Sequence, residues 1–319
     1  MTATPALRVL VIGDVIDDVV VRPRTAVTVD SDTASTISHC AGGSAANQAA
    51  WMGELGIPVR FAGRVGRTDV DRHARALEQH GVETRLSADP ELPTGTIVVL
   101  LDDDGSRTMF TDRGANARLC AADLPVALLD DVGLLHVNGY ALLEAAGRDA
   151  LAALMRVSRD RDIAISVDPC SVAFLRDIGA ERFTDLTRGA AMCTPDLAEG
   201  RLLAGTADPA GVVAALLETY EIVLLKCGPA GVVGGRRGGA IVRFPSPVPA
   251  SDVVDPTGAG DAFCAGALAV LASAGGSLAA VDVAEMADAG QRAAARALAV
   301  AGGRPPSRPD PVRTPVRRD

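Results

Sequence analysis

Apolar residues fall in short unbroken runs, separated by glycine and acidic turns and then by longer stretches with helical spacing. Residues 7–13, LRVLVIG, form the first run. It is β-branched and closed by a glycine, the pattern of a strand buried on both faces of a parallel sheet. Further runs at 58–65, 132–137 (VGLLHV), 163–167 (IAISV), 190–194 and 222–226 (IVLLK) alternate with helical stretches at 45–55, 69–80, 144–159, 196–204, 209–219, 258–273 and 284–300. That alternation predicts an α/β fold built on a doubly wound, mostly parallel sheet. Two regions break the rhythm. Several residues of 19–37 alternate loosely between β-branched and polar, and 94–101 with 107–111 flank DDDGS at 102–106 in a hairpin pattern. Together they predict a small, partly exposed sheet. The expected organisation is one domain over 1–306 that includes this small sheet, followed by a loose tail at 307–319. Residues 302–319 hold five Pro and five Arg, whose charge reads as a solvated end.

A hydrophobic content of 48% with 22% charged residues fits a globular chain with a substantial core. The formal charge of −9 argues against a nucleic-acid or anionic-membrane partner. Cys40, Cys120, Cys170, Cys193, Cys227 and Cys264 are scattered without a CxxC pair, so neither a zinc site nor a disulfide framework is expected, and a reducing cytoplasm is. The apolar run Leu7–Ile12 is cut off by Asp14, Asp17 and Asp18, which excludes a leader pattern, and Ala262–Ala274 is too short for a membrane span.

The chemistry concentrates at DPTGAGD, 255–261. Gly258, Ala259 and Gly260 carry little bulk, so their backbone N–H groups can approach an anion at the start of the following helix. Asp261 falls in the first turn, where a carboxylate would repel a phosphate but could accept a proton from a hydroxyl beside it. Taken alone, it could equally stabilise the helix N-terminus. Asp14, Asp17 and Asp18 stand at the carboxyl end of the first strand, where open α/β sheets place ligands. By alternation Asp14 could share the face of Asp18 and Asp17 should not, and an exposed loop explains both as well.

Two motifs carry a resemblance. GGSAANQAAWMGELG at 42–56 and DPTGAGDAFCAGAL at 255–268, with GRVG at 63–66 and RGAN at 113–116 between them, resemble the signatures of the ribokinase-like (PfkB) carbohydrate kinases over nearly the whole chain. The resemblance implies a three-layer α/β core with a small β lid formed by about 15–40 and 94–114, ATP as donor, Mg²⁺, and Asp261 as catalytic base, with an anion hole from the N–H groups of Ala259, Gly260 and Asp261 and a turn shaped by Gly258. It implies substrate contacts from Asp18, Gly42, Gly43 and Asn47. Lys226, Gly228, Thr257, Gly258 and Gly260 would line the nucleotide; Lys226, the sole lysine, could also be a replaceable strand-end residue. Glu199 would position Mg²⁺ through water, with Asp196 where Asn is usual, and Asp255 with the Thr257 carbonyl would hold a monovalent cation such as K⁺. Ile16 stands where ribokinase has a sugar-binding Asn, so ribose is not the expected substrate. The implied reaction is ATP-dependent phosphorylation of a hydroxymethyl group on a small sugar. The alternatives are a nucleoside kinase of the adenosine or pseudouridine type, for which Phe110 is the candidate base-stacking residue, and a sugar-binding regulator without catalysis. A homodimer through the lid is expected by analogy.

Other side chains admit two readings. His39 could reach substrate, whereas His73, His80 and His136 read as structural or exposed. Arg107 and Arg113 in the lid could bind an acidic group or be solvated, and Tyr140 could border the pocket.

Overall fold

The computed structural model describes residues 8–101 and 107–306. The DDDGS turn at 102–106 and the tail at 307–319 lie outside the described residues. The chain opens with β1 (Arg8–Ile12), β2 (Ile16–Pro23), β3 (Ser35–Gly42), α1 (Ser44–Glu54), β4 (Val59–Gly66), α2 (Val70–Glu78) and β5 (Val82–Asp89). Next come the lid arms β6 (Gly95–Leu101) and β7 (Arg107–Asp112), then β8 (Val132–Asn138), α3 (Ala145–Asp160), β9 (Ala164–Asp168), α4 (Val172–Ile178) and α5 (Ala180–Thr187). The remainder is β10 (Met192–Cys193), α6 (Leu197–Ala204), α7 (Pro209–Leu216), β11 (Ile222–Lys226), β12 (Val232–Arg236), β13 (Ile241–Phe244), α8 (Ala259–Ser273) and α9 (Val283–Leu298).

Nine strands form the main sheet in the order β13-β12-β11-β10-β9-β8-β1-β4-β5, parallel except where β12 and β13 turn back. Side chains alternate across each strand and so fill two separate cores. Val9 and Val11 join Leu134, Ile222 and Leu224 beneath α1, α8 and α9. Leu10 and Ile12 join Leu135, Val223 and Leu225 beneath α3, α4 and α7. These are the three layers expected. No helix among the described residues is long and apolar enough to cross a membrane.

A second sheet, β3-β2-β6-β7, forms the lid. Its register decides which residues face the site. Asp18 lies opposite Cys40 and Ile97, and Ile97 opposite Thr111, so Asp18, Ile97, Thr111, Met109 and Arg107 share one face. Val19, His39, Val98 and Phe110 share the other. Phe110, 60% exposed, is therefore turned away from Asp18 and cannot close over a base or sugar there. His39 is turned away with it.

The polar and glycine-rich elements β5, β12 and β13, and the helices α4 and α5 split by Gly179 (φ 88°), were not expected from the apolar pattern. Asp14 and Asp17 are not in an exposed loop. Asp14 is 5% exposed, and its carboxylate accepts from the Ser44 and Ala45 N–H groups at 3.2 and 3.0 Å, capping α1 from outside because Gly43 has no side chain to do so. Asp17 lies in β2, where Arg72 holds it bidentately at 2.6 and 2.7 Å.

Candidate active site

The carboxyl ends of the parallel strands, the start of α8 and the lid enclose a cavity of about 800 Å³. Ser44, Tyr140 and Asp261 border one part of it, Asp168, Lys226 and Glu199 another, and Val232, Val248, Val253 and Leu298 form an apolar wall. Arg107 reaches in from the lid and donates from Nη1 to Thr257 Oγ1 at 2.9 Å. It is a clamp between the lid and the glycine turn, not a freely solvated arginine.

The glycine turn enters α8 through Gly258, which has φ 74° and whose absent Cβ would stand 2.4 Å from the Gly303 carbonyl oxygen. Backbone conformation and close approach both require glycine here. The Ala259 N–H donates to the Pro256 carbonyl at 3.3 Å. Of the three N–H groups expected to face an anion, those of Gly260 and Asp261 have no hydrogen-bond partner among the described residues. Such orphan donors at a helix start favour an anion.

Three residues of α1 meet Asp261. Ser44 Oγ donates to Asp261 Oδ1 at 2.6 Å, Asn47 Nδ2 donates to Oδ2 at 3.0 Å, and Gln48 Nε2 donates to Oδ1 at 3.4 Å. Their spacing of three and four residues puts them on one helix face. Burial pushes the Asp261 carboxyl up to about 7, against the pull of the Ser44 and Asn47 bonds; nearby Asp168 adds to the rise. The carboxyl is thus poised to gain and lose a proton near neutrality. Asn138 Nδ2 donates to Ser44 Oγ at 3.0 Å and orients that hydroxyl.

Gln48 Nε2 also donates to Asp168 Oδ2 at 3.0 Å, and Lys226 Nζ pairs with the same carboxylate at 3.0 Å. Burial alone would depress the Lys226 ammonium, but Asp168 and Glu199 override it and raise it. Lys226 is therefore anchored beside the turn, with its Nζ 3.8 Å from where a Gly260 Cβ would lie. Asp196 and Glu199 cap α6 reciprocally: Glu199 N–H donates to Asp196 Oδ1 and Asp196 N–H to Glu199 Oε2, both at 2.8 Å. Burial raises the Glu199 carboxyl, and Lys226 opposes it. No group of three metal-ligating side chains occurs among the described residues. Asp255 accepts from the Thr257 N–H at 2.8 Å and from the Gly302 N–H at 2.9 Å, tying the turn to the chain beyond α9.

Asp18 stands beside Gly42, whose absent Cβ would fall 2.1 Å from Asp18 Oδ2, so only glycine lets strand and carboxylate approach. Burial and Asp14 push the Asp18 carboxyl up to about 6, with Arg304 opposing. Tyr140 borders the cavity as expected, and its ring carries the Arg113 guanidinium 5.8 Å from the centroid. His136 is fully buried between Gln48 and Ser166, and burial holds it down at about 3, neutral and structural.

Ser44, Gln48, Asp168 and Arg304 were not expected in this role. The first two were legible from their spacing to Asn47, and Asp168 from its place at the carboxyl end of a strand. Nothing in the proline- and arginine-rich sequence around Arg304 singles it out, and it is not a solvated residue as its composition suggested: Arg304 Nη2 donates to the Gly42 carbonyl at 2.8 Å.

A doubly wound sheet with a separate lid, and a cavity joining a near-neutral carboxylate to a two-donor helix start and an anchored lysine, define a phosphotransferase architecture. The profile of the pfkB family of carbohydrate kinases matches residues 6–310, and the chain belongs to that family; it is an ATP-dependent kinase. It is 32% identical over 277 residues to the fructokinase of Salmonella typhimurium, covering 84% of this chain and 85% of that protein. Adenosine kinase from Sinorhizobium meliloti superposes with a TM-score of 0.83 at 22% identity, over 94% of this chain and 96% of that one. An Escherichia coli protein solved in complex with ATP and Mg²⁺ superposes with a TM-score of 0.80 at 22% identity, over 93% and 94%.

Proposed function

We propose that the chain transfers the γ-phosphoryl group of ATP to a hydroxymethyl group of a small free sugar, with Asp261 as general base. The observation that carries this reading is the single cavity holding Asp261, the free N–H groups of Gly260 and Asp261, and Lys226. A substrate hydroxyl beside Asp261 gives up its proton to the carboxylate as its oxygen attacks phosphorus in line. Ser44, Asn47 and Gln48 fix the carboxylate for that transfer. The two N–H groups and Lys226 face the charge that spreads over the transferred oxygens, the larger contribution in a loose transition state. The apolar wall of Val232, Val248, Val253 and Leu298 accommodates the nucleotide base, with Gly228 beside it. Mg²⁺ would neutralise the phosphates; with no three-ligand cluster among the described residues, it would be held by phosphates and water, with Asp196 and Glu199 behind the water. Asp255 and the Thr257 carbonyl would hold a monovalent cation such as K⁺, since each Asp255 oxygen accepts one backbone N–H and keeps a further lone pair.

The test is ADP release with D-fructose, D-ribose, sugar acids, sugar phosphates and adenosine as acceptors. The fructokinase relative makes D-fructose the first candidate. Turnover on adenosine alone would replace the sugar with a nucleoside, a reading that has lost its stacking residue now that Phe110 lies on the far lid face.

Because Asp261 must be ionised to accept a proton, kcat/KM should fall about tenfold per pH unit below about 7, and level off above it. Asp18, pushed up to about 6, should steepen the acid limb. A profile flat from pH 5 to 8 contradicts the base assignment.

The proposal includes self-association through the outer lid face, where Ile37 and Phe110 are 58% and 60% exposed beside Val19, Val21 and Val98. Phe110→Asp should shift a dimer to monomer in sedimentation velocity; a wild-type monomer at all concentrations removes this part.

A further inference from the structure

Resting on the sugar-kinase reading above, we propose that His136 is a positioning residue for the general base: through Gln48 it fixes the one amide orientation in which that side chain can donate to Asp261. His136 does not border the cavity and touches no substrate. Four elements join in one row of bonds. Ser166 Oγ of β9 lies 2.7 Å from His136 Nδ1 of β8, and His136 Nε2 lies 2.9 Å from Gln48 Oε1 of α1. Gln48 Nε2 in turn reaches Asp168 Oδ2 at 3.0 Å and Asp261 Oδ1, on α8, at 3.4 Å. Ser166, His136 and Gln48 are fully buried, so bulk water does not compete for these bonds.

The direction of every bond is set from one end. The Asp168 carboxylate, paired with the Lys226 ammonium, can only accept, so the NH₂ of Gln48 must face it. Gln48 Oε1 is then turned to His136, and Nε2 of that ring must carry the hydrogen. Burial, helped by the Lys226 charge, keeps the imidazole neutral, so Nδ1 is bare and the Ser166 hydroxyl donates to it. A reversed amide would set Oε1 against two carboxylates and NH₂ against the His136 N–H, wrong at both ends. The groups around Asp261 make this orientation count. Ser44 and Asn47 of α1 donate to it, the Asp168 charge at the end of β9 raises it, the Lys226 charge at the end of β11 lowers it, and Cys264 lies on α8 itself. Cys264 Sγ is also 3.8 Å from His136 Nε2. Each donor favours the ionised carboxylate against its burial, so losing the Gln48 bond lets the Asp261 carboxyl rise further.

The test is the pH profile of kcat/KM, on the acceptor that wild type turns over best, for wild type, His136→Leu, His136→Gln and Ser166→Ala. Leucine is close to histidine in size but cannot donate to Gln48 Oε1, whereas a glutamine amide can. His136→Leu should move the acid limb up by about one pH unit, as expected for one long bond to a charged group. A higher Asp261 pKa leaves less carboxylate at a given pH, so activity should fall about fivefold at pH 7 and return to near wild type by about pH 9, with the KM for ATP unchanged. His136→Gln should restore the wild-type limb. Ser166→Ala releases the tautomer without emptying the ring's place; it should shift the limb the same way by less, and it carries the test if the leucine variant does not fold. Independently of turnover, ¹⁵N NMR of the histidine rings, with the His136 signals assigned by their loss in His136→Gln, should show Nε2 protonated and Nδ1 bare from about pH 5 to 8. The opposite tautomer overturns the proposal. So does a folded His136→Leu whose loss of activity is the same at every pH, or which loses none, and the kinase reading then stands. A wild-type profile with no acid limb removes Asp261 as the base, and a wild type inactive on every sugar and nucleoside removes the sugar-kinase reading; in either case this inference falls with it.

Discussion

Asp261→Asn should lower kcat by about 10²–10⁴-fold, the range for loss of a general base, while the KM values for sugar and ATP change little. The amide preserves shape but cannot take a proton. It also turns one acceptor into a donor, so either Ser44 Oγ or Asn47 Nδ2 must give up its bond. The hydroxyl rotates easily because Asn138 Nδ2 already donates to it, so structural damage stays small. The residual rate reports what the Gly260 and Asp261 N–H groups and Lys226 contribute without a base. Turnover near wild type would remove Asp261 from the chemistry and leave it as a helix-end carboxylate.

The second large effect is on stability. Asp168→Ala should destabilise the fold by about 3–5 kcal/mol, since it removes the only carboxylate paired directly with the Lys226 ammonium among the described residues and leaves it the weaker pull of Glu199. The Asp168 side chain is 3% exposed and that of Lys226 16%. Gln48 loses an acceptor in the same step, which loosens its hold on Asp261. Urea denaturation with an unchanged m-value measures the loss. The double change Asp168→Leu with Lys226→Met should regain most of the stability and none of the activity, because removing both charges removes the penalty but also the cation beside the turn. Asp168→Ala as stable as wild type would mean that the ion pair is open to water.

Much of this is legible in the sequence. The buried strands β1, β8 and β11 announced themselves as β-branched runs, and α8 as a long uncharged helix behind a glycine turn, because burial on both sides leaves no room for polar residues. What escaped was set by position in the sheet. β5 is an edge strand with six of its eight residues half-exposed or exposed, and its sequence VETRLSAD is accordingly polar. β12 and β13 pair antiparallel at the other edge, where Gly234 and Gly235 sit against Leu224 and Leu217 and so look like a loop. At the site, Asp261 was found from the turn it follows, and Asn47 from its motif. The acidic residues after β1 divided in a way alternation only half predicts: Asp18 shares the lid face of Arg107, Asp17 turns to Arg72, and Asp14 caps α1. Phe110 and Arg304 misled for the same reason, since the face of one is set by strand register and the burial of the other by a fold-back more than 250 residues from its partners in α1 and β3.

That fold-back has a consequence for biosynthesis. Gly42 and Arg304 are 262 residues apart, and Trp51 and Gly303 are 252. A nascent chain can lay down the first strands, the lid and much of the sheet while residues beyond α9 are still inside the ribosome. It cannot pin the glycine turn through Asp255 and Gly302, or seat a guanidinium beside Asn47, until translation has passed residue 304 and that segment has emerged. Chains stopped before residue 302 should therefore lack both the Asp255–Gly302 tie and the arginine beside Asn47.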